Sequence, residues 1–176
     1  ASDAKGSTTI PLPRDLYGAT RPNPLGMDMG YRCVREPFLK ATALALANTP
    51  LEEESVSTSM GDIPALVARA QKAFPSWDTT PVATRAAALR KAADLLEARR
   101  EQYVALCISE AHKTMAEALA ELREAADFCR YYANEAERLF AAQALPGTTG
   151  ESNILTLHGR GVLVCISPWN FPLAIF

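Results

Sequence analysis

The sequence has few metal ligands and no excess of positive charge. Its 176 residues include only two histidines and four cysteines, and the cysteines lie far apart, without a CxxC pair or a histidine at metal-binding spacing. We therefore expect no metal site and no disulfide framework, and we expect Cys33, Cys107, Cys129 and Cys165 to be buried, reduced thiols. Eighteen Lys plus Arg stand against 20 Asp plus Glu, which argues against nucleic-acid binding through bulk charge.

Long apolar runs are also absent. No uninterrupted stretch approaches the ~20 residues that a membrane-spanning helix needs, and Ala1–Lys5 lacks the layout of a secretory signal. Hydrophobic residues make up 48% and charged residues 22%, close to the average of globular domains. We expect a soluble, cytoplasmic protein.

Both ends of the sequence suggest a longer polypeptide. It begins with Ala1 instead of Met, and it stops at Phe176 within an apolar run, just where a helix is predicted to start after Pro172. Each apolar side chain left uncovered there forgoes ~1.5–3 kcal/mol of burial free energy. We therefore expect the natural chain to continue.

Proline and glycine divide the sequence into regions. Residues 1–60 hold half of the twelve prolines and are predicted to form an ordered connector with one weak helix, Phe38–Ala47. Four helices are predicted from 62 to 140: one from the cap Asp62 to Pro75, one beginning at Thr80–Pro81, one over 102–111, and one opening with the capping box of Thr114 and Glu117.

Apolar residues at helical spacing predict the buried side of each helix. The predicted sets are Ile63, Leu66, Val67, Ala70 and Phe74; Ala86, Leu89, Ala93 and Leu96; Tyr103, Leu106 and Cys107; and Met115, Leu119, Leu122, Ala126, Cys129, Ala133, Ala136 and Leu139. Charged residues of the last helix, such as Glu121, Glu124 and Arg138, are predicted to lie on its solvated face.

The last region has the composition of strands. Asn153–Leu157 is predicted to form one strand, and the apolar run Val162–Ile166 a second, buried on both faces of a parallel sheet. Helices followed by such a strand indicate an α/β fold. Gly159-Arg160-Gly161 precedes the second strand, so we interpret it as a turn and not as a phosphate loop.

The loop Ser167–Pro172 follows the predicted buried strand, where α/β sheets bind ligands. The amide of Asn170 has two open interpretations: it donates to an oxygen that gains negative charge during acyl chemistry, or it caps the following helix. Trp169 is either a wall for a planar ligand or a core aromatic, and spacing alone favours the core.

The segment Gly161–Pro172 resembles the strand and Pro-Trp-Asn-Phe-Pro loop of the NAD(P)-dependent aldehyde dehydrogenase superfamily. Ala73–Trp77, Arg85–Leu89 and Glu110–Thr114 also have counterparts there, although His112 stands where the family usually has glycine. The resemblance covers residues 63–176. It implies an α/β protein, with the N-terminal helical part of the aldehyde dehydrogenase fold and the start of a Rossmann-like NAD-binding sheet.

The first region resembles a particular subgroup. Leu12–Gly18, Arg21–Asn23 and Gly26–Asp28 are similar to the connector of bifunctional proline utilisation proteins, as are Gly147–Asn153 and Leu157–Gly161. The implied domains are a connector at 1–60 from an upstream, FAD-containing proline dehydrogenase, and a dehydrogenase part at 61–176. The second part would include an oligomerisation strand near 153–157 and the first cofactor-site strand and loop at 162–172.

The resemblance implies NAD-dependent oxidation of glutamate semialdehyde (pyrroline-5-carboxylate) to glutamate in proline catabolism. In that chemistry a cysteine thiolate attacks the aldehyde, hydride passes to NAD, and water releases the product. Asn170 matches the catalytic asparagine that stabilises the oxyanion, and Phe171 matches an aromatic near the aldehyde pocket. The residues matching the nicotinamide side of the cofactor site are Ile166, Ser167, Pro168 and Trp169.

The catalytic cysteine and the general-base glutamate lie beyond this loop in the family, and Cys165 is no substitute, so the segment alone is predicted to be inactive. The resemblance further implies a homo-oligomer, allows peripheral membrane association of the full-length protein, and leaves both NAD and NADP open. Two alternatives remain: an aldehyde dehydrogenase for another semialdehyde, or a non-catalytic helical interaction module. The second gives the Trp169–Asn170 loop no purpose.

Overall fold

The computed structural model describes residues 10–48 and 60–175. Within these ranges the chain forms five α-helices and two short strands, with 3-10 turns at Pro13–Asp15 and Met60–Asp62. The elements, in chain order, are α1 Arg32–Asn48, α2 Ile63–Asp78, α3 Val82–Ala98, α4 Arg100–Ala111, α5 Met115–Leu139, β1 Gln143–Leu145 and β2 Asn153–Leu155. The expected connector at 1–60 includes residues 1–9 and 49–59, which lie outside the described residues.

The start of α5 confirms the predicted capping box. Thr114 Oγ1 accepts a hydrogen bond from Glu117 N at 3.3 Å, and Glu117 Oε2 accepts from Thr114 N at 3.0 Å. Just before it, His112 follows the last residue of α4 as its C-cap and adopts the left-handed conformation with φ 52°. Glycine adopts this conformation most readily, so His112 reproduces the turn at some cost in backbone strain.

The core lies where α5 packs against α3 and α4, and α1 packs against α4. Its buried members are Phe38, Val104, Cys107, Ala118, Leu119 and Leu122. Ala86 and Ala93 of α3, and Ala126 and Ala133 of α5, are completely buried. Small side chains at these positions let the backbones of two helices approach closely.

Residues of the first region lie along α3 and α5 and are bonded to them through Arg130. This guanidinium, with only 3% of the residue exposed, donates to Asp94 Oδ1 at 2.9 Å, Glu97 Oε2 at 2.5 Å and the carbonyl of Pro22 at 3.2 Å. Glu97 in turn accepts from Leu25 N at 2.9 Å. A buried charge is tolerated when its hydrogen-bonding capacity is used in this way.

Two predicted helix boundaries near Pro75 are wrong. Helix α2 continues through Pro75 to Asp78, because proline removes only the hydrogen bond of its own nitrogen while the carbonyl of Pro75 accepts from Thr79 N at 3.3 Å. The cap of α3 is Pro81, not Thr80. The hydroxyl of Thr80 donates to Ser76 O at 2.8 Å and thus belongs to the end of α2.

The apolar side of α2 is not buried as predicted. Ile63, Leu66 and Val67 are 37–44% exposed, since no described helix or strand packs against α2 apart from the 3-10 turn preceding it. On α3, Leu89 is likewise 37% exposed. The predicted burial of this face of α2 is therefore wrong for the described structure, because no helix or strand in the described ranges covers it.

The predicted buried strand Val162–Ile166 does not form in this structure. The segment is irregular, and Leu163, Val164 and Ile166 are 77%, 81% and 86% exposed. A strand buried on both faces requires hydrogen-bonded neighbours and covering helices, and the described residues supply neither to this segment.

The other predicted strand does form, as the shorter β2. It pairs antiparallel with β1, with Gln143 opposite Leu155 and Leu145 opposite Asn153. Strand β1 was missed because Gln-Ala-Leu contains no β-branched residue and directly follows a long helix. Both strands are exposed.

All four cysteines are free, but only part of the burial prediction is right. Cys107 is buried and Cys129 half-buried, whereas Cys33 and Cys165 are exposed. Among the described residues, no cluster of three or more His, Cys, Asp or Glu side chains is arranged to hold a metal ion. None of the helices in the described part of the chain has the length and apolar character to cross a membrane.

Candidate functional site

The predicted loop forms a tight turn that presents two side chains. Phe171 N donates to Pro168 O at 3.0 Å, which places Trp169 and Asn170 at the tip. Trp169 is 82% exposed, so the interpretation of this residue as a core aromatic is wrong. Asn170 is also exposed.

The chain after this turn is anchored by Glu121 of α5. Oε1 of Glu121 accepts from Leu173 N at 2.7 Å and from Ala174 N at 3.3 Å. Leu173 packs against the core cluster, and Ala174 is only 6% exposed. Residues 172–175 form a turn, and the carboxylate that accepts two of its amide protons satisfies donors that otherwise lack a partner.

The hydrogen bonds from Leu173 and Ala174 to Glu121 help to distinguish the two interpretations of Asn170. In the described part of the chain the Asn170 side chain makes no hydrogen bond, and the amides that a capping residue would serve are bonded to Glu121 instead. The capping interpretation therefore loses its support. The oxyanion role remains a prediction, and the geometry leaves the amide free for it.

Glu121 itself was predicted to be solvated, and that prediction is wrong. Its side chain is 1% exposed, and Oε2 lies 2.7 Å from the ammonium of Lys113, whose side chain is 12% exposed. The same ammonium lies 4.8 Å from the ring centroid of Phe171. In the structure Ala118, Leu122 and Ala125, at i−3, i+1 and i+4, are also buried, so position 121 lies on the packed side of α5.

A cavity of about 400 Å³ lies between this loop and the junction of α4 and α5. Trp169, Asn170 and Phe171 line it together with Ala111, His112, Lys113, Glu117, Ala120, Glu121 and Glu124. The structure thus brings three of the six predicted site residues to one cavity. The other three, Ile166, Ser167 and Pro168, do not line it.

A second, more apolar cavity of about 750 Å³ shares Trp169 and His112 with the first. Tyr103, Leu106, Cys107, Glu110, Ala111, Pro172 and Leu173 complete its lining. Trp169 is therefore a shared wall between two cavities, which suits a planar side chain that contacts a ligand.

Cys107, which lines the second cavity, does not have the properties of a nucleophile. Burial raises the pKa of Cys107 to about 11, and the neighbouring charge of Glu121 raises it further while Lys113 opposes the shift. A reactive cysteine needs a lowered pKa and access to solvent. No cysteine lines the cavity that holds Asn170, so that cavity lacks a nucleophile of its own.

Comparison with known proteins identifies the family. Residues 48–176 match the sequence model of the aldehyde dehydrogenase family. The chain belongs to the aldehyde dehydrogenase family. The mostly helical fold with one small sheet corresponds to the N-terminal part of the aldehyde dehydrogenase fold, as the resemblance implied.

Individual relatives are bifunctional enzymes and semialdehyde dehydrogenases. The chain is 34% identical to Bifunctional protein PutA of Escherichia coli (strain K12) over 197 residues, covering 95% of this chain and 14% of the relative. It is 36% identical to the Probable succinate-semialdehyde dehydrogenase [NADP(+)] of Synechocystis sp. over 134 residues, covering 74% of this chain and 29% of that protein.

Among solved structures, the crystal structure of a bifunctional proline utilization A (PutA) protein superposes with a TM-score of 0.91 and 48% identity. The match covers 96% of this chain and 17% of that one. The chain therefore spans less than a third of the length of these proteins, and it matches PutA over nearly all of its own length.

Proposed function

We propose that this chain contributes the oxyanion-stabilising loop of an NAD-dependent aldehyde dehydrogenase that oxidises glutamate semialdehyde to glutamate in proline catabolism. The observation that carries the proposal is the free amide of Asn170 at the tip of an anchored turn, facing a cavity. The match to PutA over 95% of the chain supports the choice of substrate.

In this proposal Asn170 donates its side-chain N–H to the oxygen of the aldehyde as that oxygen becomes negative. A donor placed before the reaction stabilises the developing charge without further reorganisation. Phe171, whose ring contacts Lys113, lines the same cavity and provides an apolar surface for the substrate. The attacking thiolate and the general base come from residues outside this chain.

Enzymes of this family normally use NAD(P), which supplies the hydride acceptor when bound. The residues assigned to its nicotinamide side fit a planar, partly polar group. Ser167 Oγ is buried without a hydrogen-bond partner in the described structure, so it is free to bond a ligand. Ile166 and Trp169 expose 86% and 82% of their surface, and Pro168 stiffens the turn between them.

The wider assignments follow from the likeness to PutA and are part of the same proposal. FAD would be bound by an upstream proline dehydrogenase outside this chain, and the connector at 1–60 would join the two enzymes. The exposed pair β1–β2 suits the oligomerisation hairpin of a homo-oligomer. The same proposal places the protein in the cytoplasm, with peripheral membrane association of the full-length protein.

A second candidate substrate is succinate semialdehyde. The 36% identity to a succinate-semialdehyde dehydrogenase [NADP(+)] supports it, over 74% of this chain. The helical interaction module, in contrast, explains neither the family match nor the free amide of Asn170.

The test is an assay of the complete gene product that carries these residues. Reduced nucleotide formation is measured with glutamate semialdehyde and with succinate semialdehyde, each with NAD and with NADP. We expect the highest kcat/KM with glutamate semialdehyde and NAD; a higher value with succinate semialdehyde would replace the proposed substrate. The isolated segment is expected neither to bind NAD in calorimetry nor to oxidise aldehydes.

A further inference from the structure

Glu121 and Lys113 form a buried ion pair directly beneath the proposed catalytic loop. The Glu121 side chain is 1% exposed and the Lys113 side chain 12%, and their charged atoms are 2.7 Å apart. Removing two charges from water costs several kcal/mol for each ion unless geometry and hydrogen bonds compensate. Here the carboxylate also accepts two backbone amides, from Leu173 and Ala174.

These contacts fix the chain on both sides of Asn170. Before it, the turn is closed by Phe171 N bonding to Pro168 O at 3.0 Å. After it, Phe171 lies against the Lys113 ammonium, and the backbone amides of Leu173 and Ala174 donate to Glu121. Asn170 itself makes no side-chain hydrogen bond in the described part of the chain, so its position is set by its neighbours.

We propose that the Glu121–Lys113 pair is a positioning device for the amide of Asn170. Glu121 holds the turn that follows Asn170, and Lys113 neutralises Glu121 and contacts the ring of Phe171. Neither residue touches the substrate in this scheme; each acts through Asn170. The inference rests on the proposed function, because it assigns these residues to the geometry of that oxyanion site.

Two other carboxylates of α5, those of Glu117 and Glu135, do not share this role. Glu117 lines the same cavity, but its carboxylate is bonded to Thr114 in the capping box. Glu135, further along α5, pairs with Arg138 at 2.6 Å on the surface. Glu135→Gln is therefore a matched control, since it removes an ion-paired carboxylate from the same helix far from the loop.

The test uses the complete gene product with Glu121→Ala, Glu121→Gln, Lys113→Met and Glu135→Gln, each alone and combined with Asn170→Ala. A reacting group misplaced by about 1 Å costs on the order of 10²-fold in rate, so we expect Glu121→Ala to lower kcat by that order. KM for the aldehyde should change by less than about threefold. Lys113→Met should lower kcat in the same direction, and Glu135→Gln should leave it unchanged.

A double-mutant cycle with Asn170→Ala distinguishes a positioning role of Glu121 from general structural damage. If Glu121 acts through Asn170, adding Glu121→Ala to Asn170→Ala lowers kcat by less than about threefold further, because effects on one functional unit are not additive. Additive losses, or a Glu121→Ala enzyme with unchanged kcat, would overturn the inference. If Glu121→Ala does not fold, the same cycle with Lys113→Met decides.

Amide hydrogen exchange gives a readout that does not depend on activity. The amides of Leu173 and Ala174 should lose protection in Glu121→Ala and keep it in Glu135→Gln; unchanged protection in Glu121→Ala would overturn the anchoring. A wild-type enzyme that oxidises neither semialdehyde would overturn the proposed function, while the exchange experiment would still decide whether Glu121 anchors the turn.

Discussion

Arg21 and Asp127, separated by 106 residues in sequence, form a two-pronged ion pair. Arg21 Nε donates to Asp127 Oδ1 at 3.0 Å, and Nη2 donates to Oδ2 at 2.7 Å. The guanidinium also lies 4.2 Å from the ring centroid of Tyr17 and 4.9 Å from that of Tyr131. One side chain thereby bonds the first region of the chain to α5, the helix that carries Glu121.

Replacing Arg21 by lysine should loosen this attachment. Lysine keeps the charge but can neither bond both carboxylate oxygens in parallel nor stack flat against an aromatic ring. We expect Arg21→Lys to lower the free energy of unfolding by about 1 kcal/mol and to increase hydrogen exchange over residues 13–25. Arg14→Lys is the control, because Arg14 is exposed and has no ion pair in the described structure; equal effects in the two variants would contradict the assignment.

The capping box predicts a pH dependence of stability. Hydrogen bonds from the backbone and side chain of Thr114 lower the pKa of Glu117 below its ordinary value of 4.5. A carboxylate whose pKa is depressed on folding stabilises the folded state above its ordinary pKa, and this contribution is lost as pH falls through the lowered value. Glu117→Gln should therefore be less stable than the wild type at pH 7.

The difference between the two proteins should shrink as pH falls below 4.5 and vanish once Glu117 is protonated in the folded state. Urea titrations across this range, followed by circular dichroism, measure it. Glu124→Gln is the matched control, because Glu124 is an exposed residue of the same helix. A wild-type advantage that persists unchanged to the lowest pH would show that the charge of Glu117 is not its source.

Features set by neighbouring residues in sequence were predictable here. The capping box of Thr114 and Glu117 needs only three residues of spacing, and the structure contains it. The prediction that Pro75 ends α2 was wrong. A proline inside a helix removes one backbone hydrogen bond, and the bonds of the following turn can offset that loss. The predicted role of Thr80 as the cap of α3 was wrong for a similar reason, since its hydroxyl donates to Ser76 O in the preceding helix.

Features that depend on contacts between distant segments were not predictable from the sequence. The burial of Glu121 follows from Lys113 and from amides 52 and 53 residues further along the chain, and a helical pattern alone shows only a charged residue. The run Val162–Ile166 has the composition of a buried strand, but a strand forms only where hydrogen-bonding neighbours exist. The motif identified Asn170, but it did not reveal the contacts with Glu121 and Lys113 that fix the turn around it.

Cys107 should be nearly inert towards thiol reagents. Burial raises its pKa to about 11, so little thiolate exists at pH 8, and the side chain lacks access to solvent. Cys33 is exposed and serves as the internal comparison. Iodoacetamide labelling followed by peptide mass spectrometry should modify Cys33 first, and Cys107 only as the chain unfolds. Labelling of both residues at the same rate under native conditions would contradict the burial of Cys107.

Asn170→Ala tests the chemical role of the loop in the complete enzyme. Loss of one oxyanion donor typically lowers kcat by about 10²–10³-fold, and we expect a loss of that order with the dissociation constant for NAD almost unchanged. Asn170→Asp should be at least as impaired, because a carboxylate repels the developing oxyanion while preserving the shape of the side chain.

Asn48→Ala, an exposed position at the end of α1, is the matched control and should retain full activity. Because the turn is anchored through Glu121 and not through the Asn170 side chain, the variants should keep the thermal stability of the wild type. A fall in kcat of less than about threefold would remove Asn170 from the reaction and leave it a surface residue of the turn.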